Sequence, residues 1–418
     1  MIKVPSQSDT LADWLDYLLA MHPTEIDMGL TRVSQVAERL GLLELAPAKV
    51  ITVGGTNGKG TTCAMLEAML RDAGKRVGVY SSPHLVHYNE RIRIDGQDAP
   101  DADIISAFGL IEKARGDISL TFFEFATLAG LQLFKQAQLD VIILEVGLGG
   151  RLDATNIIDA DVAVVTAVDL DHQEYLGTTR ESVGFEKAGI FKAGKCAVTG
   201  EPDLPVTVIE VAARVGAPLH RVGHEFSYGV DAQSWHFCGA RWQLKDLPLP
   251  TLPLPNAATA LAALECLYPD FALGSVRRGL AAATLTGRFE IVCAQPLTIL
   301  DVAHNPHAAR YLASRLQAYS GRRILALCGM LKDKDIQGVM QVMLPVVSQW
   351  YLTPLPSERS ASLAQLISAM PASACYQGFE SPELAWHAIT ADARADDVVI
   401  VFGSFYTVSG VKSFIDGE

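Results

Sequence analysis

The chain has 418 residues, of which 49% are hydrophobic and 19% charged, with a formal net charge of -13. That length suits two domains, and that much apolar sequence excludes a disordered chain. The acidic balance disfavours nucleic acid and anionic membranes as partners, and it leaves anionic small molecules to locally positive pockets such as helix N-termini.

Leu11, Trp14, Leu15, Leu18 and Leu19 recur at helical spacing over 8–21, and Val33, Val36 and Leu40 do so over 31–43, with a loop containing Gly29 between. The texture then changes. Apolar runs at 50–55, 76–80, 140–147 and 161–168 predict strands, and 61–74, 121–138 and 179–190 predict helices. Strands without polar alternation are buried on both faces, which points to a parallel sheet with crossover helices. Residues 222–255 alternate and gather prolines, so they predict a small antiparallel excursion, a stiffened connection and then a helix from about 257. A second α/β unit follows, with strands at 297–303, 322–330, 349–354 and 396–404 and a helix from about 306. The expected fold class is α/β, with a P-loop parallel-sheet ATPase domain over 1–286 and a smaller Rossmann-like domain over 287–418. No run approaches the roughly 18 apolar residues of a membrane span, and the first residues lack a basic-then-apolar signal, so a cytoplasmic protein is expected. Seven cysteines are scattered without a C-x-x-C pair, and they read as buried free thiols rather than a metal cluster.

The first strand runs into GGTNGKGTT (54–62) and then a helix. A strand, a glycine-rich loop and a helix aim backbone N–H groups at phosphate, with Lys59 on a terminal phosphate and the Thr61 hydroxyl on a magnesium ion. The strict phosphate-loop pattern would have Gly at 53 and Ser or Thr at 60, where Val53 and Gly60 stand. Glu145 closes the apolar run VIILE, where a carboxylate can hold a divalent cation or simply be a solvated strand end.

The loop G-T-N-G-K-G-T, with its extra glycine, resembles the folylpolyglutamate synthase and dihydrofolate synthase family, part of the wider group of Mur-type amide ligases. SSPHLVHYNERIRIDG (81–96), TFFEFATLAG (121–130), LEVGLGGRLDATN (144–156), LDHQEYLG (170–177), EKAGIFK (186–192), PNAATALAAL (255–264), GRFE (287–290), DVAHNPHAA (301–309), GMLKDKD (329–335) and GSFYTVSG (403–410) agree in order. The resemblance covers nearly the whole chain and implies ATP-dependent joining of L-glutamate to dihydropteroate and to reduced folates through an acyl-phosphate. Gln173 departs from the pattern, in which Thr follows Asp171 and His172.

The resemblance also implies site residues. For ATP these are Asn57, Gly58, Lys59 and Gly60, with Asn256, Arg288 and Asp301 across the domain boundary. Arg288 can fork phosphate oxygens, or it can be a surface ion pair. For metal they are Ser82, Glu145 and His172, two magnesium ions being expected, with Thr61 a physically sensible addition. His172 can equally be a polar surface residue. Lys187 corresponds to a lysine commonly carbamylated in this family, the alternative being an ordinary solvent-facing helix lysine. For the pterin they are Met28, Gly29 and Leu30, then Thr121, Phe122, Phe123 and Glu124, then Leu152, Asp153 and Ala154. Phe122 and Phe123 can stack on a flat ring or belong to the core, while Asp153 and Glu124 can accept from pterin N–H groups. For glutamate, His304 and Ser404 stand at strand ends in the second unit. With Lys59 and Lys187, His304 completes the expected catalytic set. A monomer acting on small molecules is expected. A peptidoglycan-precursor ligase is the nearest rival; a GTPase switch would need an N-K-x-D motif, which is absent, and a binding module without chemistry would be expected to lack Glu145, His172 or Lys187.

Overall fold

The computed structural model describes residues 4–24, 26–231 and 233–417. The chain forms two compact units, Met1–Ala283 and Thr284–Glu418. The sequence reading placed its boundary at 286/287.

In the first unit the strands are β1 (Lys49–Gly54), β2 (Val77–Tyr80), β3 (Ile92–Ile94), β4 (Gln97–Asp98), β5 (Val141–Glu145), β6 (Val162–Val165), β7 (Cys196–Thr199) and β8 (Leu219–Arg221). They form one sheet in the order β4-β3-β2-β5-β1-β6-β7-β8. From β2 to β8 every neighbouring pair in that order is parallel, and β3 alone runs against the others, antiparallel to both β2 and β4. All residues of β2, β5 and β6 are buried, which is why those stretches show no polar alternation. The parallel strands share one carboxyl-terminal edge, and the loops leaving that edge carry the candidate site.

Capping residues set the helices that frame it. Thr10 and Asp13 form a capping box before Leu11–Met21, Thr121 and Glu124 before Phe122–Ala137, and Thr179 caps Arg180–Ala188. The amphipathic pattern over 31–43 ends earlier than expected, since the helix is Thr31–Arg39 and Gly41 turns the chain at φ 64°. Helix Leu254–Leu267 begins three residues before the expected start and takes Pro255 into its first turn, where a missing N–H costs nothing. Helix Asp101–Arg115 was not anticipated, although Pro100, two first-turn aspartates and Gly116 are ordinary start and stop signals. The antiparallel excursion is a three-stranded sheet of β9 (Ser227–Val230), β10 (Ser234–Cys238) and β11 (Gln243–Pro248).

The second unit has β12 (Glu290–Ala294), β13 (Leu297–Leu300), β14 (Ile324–Cys328), β15 (Gln349–Leu352), β16 (Tyr376–Gly378) and β17 (Val398–Phe402), in the order β12-β13-β17-β14-β15-β16. Only β12 is antiparallel. Its core gathers Trp350, Phe402, Met340 and Leu312. Among the described residues no helix is long and apolar enough to cross a membrane.

The cysteine reading needs correction. Only Cys63 and Cys328 are buried, while Cys196, Cys238 and Cys266 are half-buried and Cys293 and Cys375 are exposed.

Candidate active site

The loop after β1 is held by the end of β6. Gly55 has φ 145°, and a Cβ there would lie 1.9 Å from the Thr166 hydroxyl, so only glycine fits. Thr166 Oγ1 donates to the Asn57 carbonyl at 2.7 Å, and Thr56 Oγ1 donates to the Asp169 carbonyl at 2.9 Å. Gly58 takes φ 89° just before helix Lys59–Asp72, packed so closely on Asn256 that a Cβ would meet its Oδ1 at 2.6 Å. Lys59 Nζ folds back to donate to the Gly55 carbonyl at 3.0 Å, so the loop carries its cation at the mouth of an N–H-lined turn. Thr61 is buried, and its hydroxyl donates to the Gly58 carbonyl at 2.9 Å while accepting from Asn256 Nδ2 at 2.7 Å. One acceptor position of that oxygen is left for a cation. Thr166 and Asp169 escaped the sequence reading; their signal was their place just beyond an apolar strand.

Glu145 ends β5 beside Ser82, which follows β2, and the Ser82 N–H points at Glu145 Oε2 at 3.4 Å. The neighbouring Cys63 thiol is pushed well up, chiefly by burial and then by the negative Glu145, while Lys59 acts on it in the opposite sense. Glu145 and Lys59 therefore lie in one neighbourhood. His172 is exposed, adopts φ 47° at the start of the short helix Gln173–Leu176, and has Nε2 3.8 Å from Asp171 Oδ2.

Lys187 is buried at 3% exposure near the end of helix Arg180–Ala188, which rules out the solvent-facing alternative. Burial first, then the positive charge of Lys59, lowers its pKa to about 7, against the pull of Asp171 and Asp153. Burial that disfavours the ammonium makes its free amine easier to form than that of an exposed lysine.

The three segments assigned to the pterin meet. Met28 packs with Val146, Leu148 and Leu176, Arg32 Nη2 donates to Glu124 Oε1 at 3.2 Å, and the Phe123 ring rests on Gly147. Gly29 has open space around it, and Leu30 precedes helix Thr31–Arg39. Both phenylalanines are half-buried. Phe122 sits edge-on to Tyr88 at 5.9 Å with the Arg91 guanidinium 5.3 Å from its ring centre, and Phe123 tilts on Tyr80 at 6.0 Å.

The two acids have parts beyond those expected. Glu124 Oε2 accepts the Thr121 N–H at 2.7 Å, and its other oxygen faces Arg32. Asp153 Oδ2 accepts the Gly147 and Leu148 N–H groups at 3.0 and 2.9 Å, and Oδ1 accepts the Thr155 N–H and hydroxyl at 3.0 and 2.7 Å. A carboxylate has about four acceptor positions, so Asp153 spends them on its own loop. Burial nonetheless holds its pKa above the usual carboxylate range. Leu152 and Ala154 flank it on that loop.

In the second unit, Asp301 follows β13 and accepts the Phe289 and Ala303 N–H groups at 2.9 Å each. Burial raises its pKa and the Arg288 guanidinium partly offsets this. Arg288 lies 5.2 Å over the Phe405 ring, which the His304 ring also approaches at 6.3 Å. His304 Nδ1 is 2.8 Å from the Val302 carbonyl. Ser404 is buried and accepts the Tyr406 N–H at 3.2 Å, capping helix Phe405–Asp416. Arg288, Asp301, His304 and Ser404 are thus brought together where β13 and β17 end side by side.

Comparison with known proteins places the chain in a family. Residues 53–227 match the Mur ligase middle domain, and residues 287–405 match the Mur ligase, glutamate ligase domain. The dihydrofolate synthase/folylpolyglutamate synthase of Escherichia coli K12 is 54% identical over 100% of this chain and 98% of its own length, and that of Haemophilus influenzae is 44% identical over 96% of each. The structure of Escherichia coli FolC in complex with DHPP and ADP superposes with a TM-score of 0.96 over 99% of both chains at 54% identity. A bifunctional folylpolyglutamate synthase/dihydrofolate synthase with Mn, AMPPNP and L-glutamate bound superposes at 0.94, with 52% identity over 99% of this chain and 100% of that one. Likeness of this degree along the whole chain, with the phosphate loop and the buried lysine inside the matched middle domain, leaves one assignment: the chain belongs to the dihydrofolate synthase/folylpolyglutamate synthase family.

Proposed function

We propose that this protein joins L-glutamate to dihydropteroate, and to reduced folates, by activating the acid's carboxylate with the γ-phosphate of ATP. The observation that carries the reading is the phosphate loop with Lys59 at its mouth, buttressed by Thr166 and set in one neighbourhood with Glu145 and buried Lys187.

The chemistry follows from what each group can do. Loop N–H groups and Lys59 draw charge from the phosphates, so a carboxylate can approach the γ-phosphorus in line. Asn256 holds Thr61 and Gly58 in place. Oxygen donors from Ser82 and Glu145 at adjacent strand ends suit a magnesium ion, which when bound supplies charge neutralisation between the two anions; Thr61 and His172 complete that proposed set. Two ions are part of this reading, with a Lys187 carbamate providing the extra carboxylate. The ammonium first gives up one proton, and the free amine then attacks CO2 at carbon and loses a second, so a cation becomes an anion. Met28, Phe122, Phe123 and the 147–154 loop form the pterin side, with Asp153 shaping that loop. In the second unit, His304 and Ser404 orient glutamate, Arg288 and Asp301 serve the nucleotide, and the His304 imidazole can take a proton from the glutamate ammonium, freeing the amine that attacks the acyl-phosphate. A monomeric, cytoplasmic enzyme belongs to the same reading.

Phosphate release from ATP and magnesium, with glutamate and a panel of acids, tests this. Dihydropteroate and tetrahydrofolate should each support release and yield products heavier by one glutamyl residue. Release only with a muramyl-peptide precursor would move the protein to the rival ligase.

Asp153→Ala should leave three loop N–H groups without their acceptor. The expected loss is about 2–4 kcal/mol of unfolding free energy, with the KM for the pterin acid rising about tenfold or more while that for ATP moves little. Denaturant unfolding beside steady-state kinetics reads both. Unchanged stability would remove the loop-shaping part.

A further inference from the structure

Three side chains that the ligation does not use converge from three separate elements. Cys196 opens β7 and His220 lies in β8. The register pairs Val198 with His220, so Cys196, two residues before Val198, shares a sheet face with that imidazole. Cys266 lies in the last turn of helix Leu254–Leu267, which packs on β6 and β7. Cys196 Sγ is 3.9 Å from His220 Nε2, and one ligand atom from each of the three residues lies within 4.8 Å of the other two. A tetrahedral cation with metal–sulfur bonds of about 2.3 Å and metal–nitrogen bonds of about 2.0 Å separates its ligand atoms by roughly 3.5–3.8 Å. The three groups are already close to that spacing without any metal.

We propose that Cys196, His220 and Cys266 form a second metal site, remote from the phosphate loop, that takes a thiophilic divalent cation such as zinc with water in the fourth position. Two thiols and an imidazole select zinc or cobalt over magnesium, which prefers oxygen. All three residues are half-buried, leaving access for the ion and the water. The nearby carboxylates are already engaged. Glu265 accepts the Arg241 and Trp242 N–H groups at 2.6 and 2.5 Å, and Glu225 pairs with Arg221 at 2.9 Å. The Cys266 hydrogen bond and then His220 lower the Cys196 pKa, while Cys196 raises that of His220 and, with burial, pushes that of Cys266 up. Binding releases two protons, one from Cys266 and one shared between Cys196 and His220, and leaves two thiolates and a neutral imidazole on the ion. The helix that carries Cys266 carries Asn256 ten residues earlier, about 15 Å along its axis, where it holds Thr61.

Titrating the reduced, metal-stripped protein with cobalt(II) under anaerobic conditions tests the site. One equivalent should produce thiolate-to-cobalt charge-transfer absorption with tetrahedral visible bands, and zinc should abolish both. Cys196→Ser and Cys266→Ser should each remove the charge-transfer band, and His220→Ala should weaken cobalt binding at least tenfold. Cys293→Ser, an exposed thiol elsewhere, should change nothing. Magnesium-dependent ligation should survive in all four variants. Absence of a saturable band in the wild-type protein, which needs no variant to fold, would overturn the proposal. So would a band that persists in both serine variants, or a Cys196–Cys266 disulfide forming in air from a protein that retains no metal.

Discussion

Lys59→Ala is expected to slow ATP-dependent ligation roughly a thousandfold, the scale of losing one preorganised charge contact to a transition state. The ammonium sits at the loop mouth through its bond to the Gly55 carbonyl, so it meets the terminal phosphate without first being ordered. Removing it exposes one carbonyl to water, and unfolding free energy should move by no more than about 1 kcal/mol. Single-turnover phosphate release beside a denaturant melt separates the two effects. A variant with near wild-type turnover would remove the loop from catalysis, and one that had lost its fold would leave Lys59→Gln as the comparison.

Lys187→Ala should cost about a hundredfold or more, because it deletes the proposed carbamate and with it a negative ligand. Only the free amine attacks CO2, and burial beside Lys59 brings the pKa to about 7. Stripping bicarbonate and CO2 should therefore slow the wild-type enzyme, and restoring them should recover activity more readily at pH 8 than at pH 6. Carbon-13 bicarbonate should give a carbamate resonance in the wild type and none in Lys187→Arg. An active enzyme with no such resonance would set the modification aside. The same depressed pKa has a sign for stability in CO2-free protein. Between about pH 7 and the ordinary lysine value of about 10.4 the unfolded chain holds more protons than the folded one, so stability rises with pH across that window. Lys187→Met should flatten that rise.

The parts legible from sequence were those whose physics is local. A strand that empties into glycines and a lysine is visible without a neighbour, and so are Thr121 and Glu124 as a capping pair. Strands buried on both faces announced a parallel sheet, but their order could not be read, because β1 finds β5 and β6 as neighbours only after crossovers of many residues. What stayed hidden depends on distant partners. From its own segment Lys187 could equally have faced solvent, because nothing in EKAGIFK says what covers it. Asp153 looked like a free acceptor because the four donors it satisfies appear only once the 147–155 loop is closed. Scattered cysteines hid the convergence of Cys196 and Cys266, which are 70 positions apart in the chain. The resemblance filled part of that gap, since it brought forward residues such as His172 and Ser82 that spacing alone would have left on a surface.

The central claim is that the acid's carboxylate is phosphorylated before glutamate attacks it. Dihydropteroate labelled with oxygen-18 in its carboxylate measures this directly when it is turned over with ATP, magnesium and glutamate. Phosphorylation followed by amide formation leaves one carboxylate oxygen on the released phosphate, so phosphate carrying a single oxygen-18 is the expected result. Unlabelled phosphate, recovered alongside glutamylated product, would mean that ATP is split without touching the carboxylate and would contradict the account.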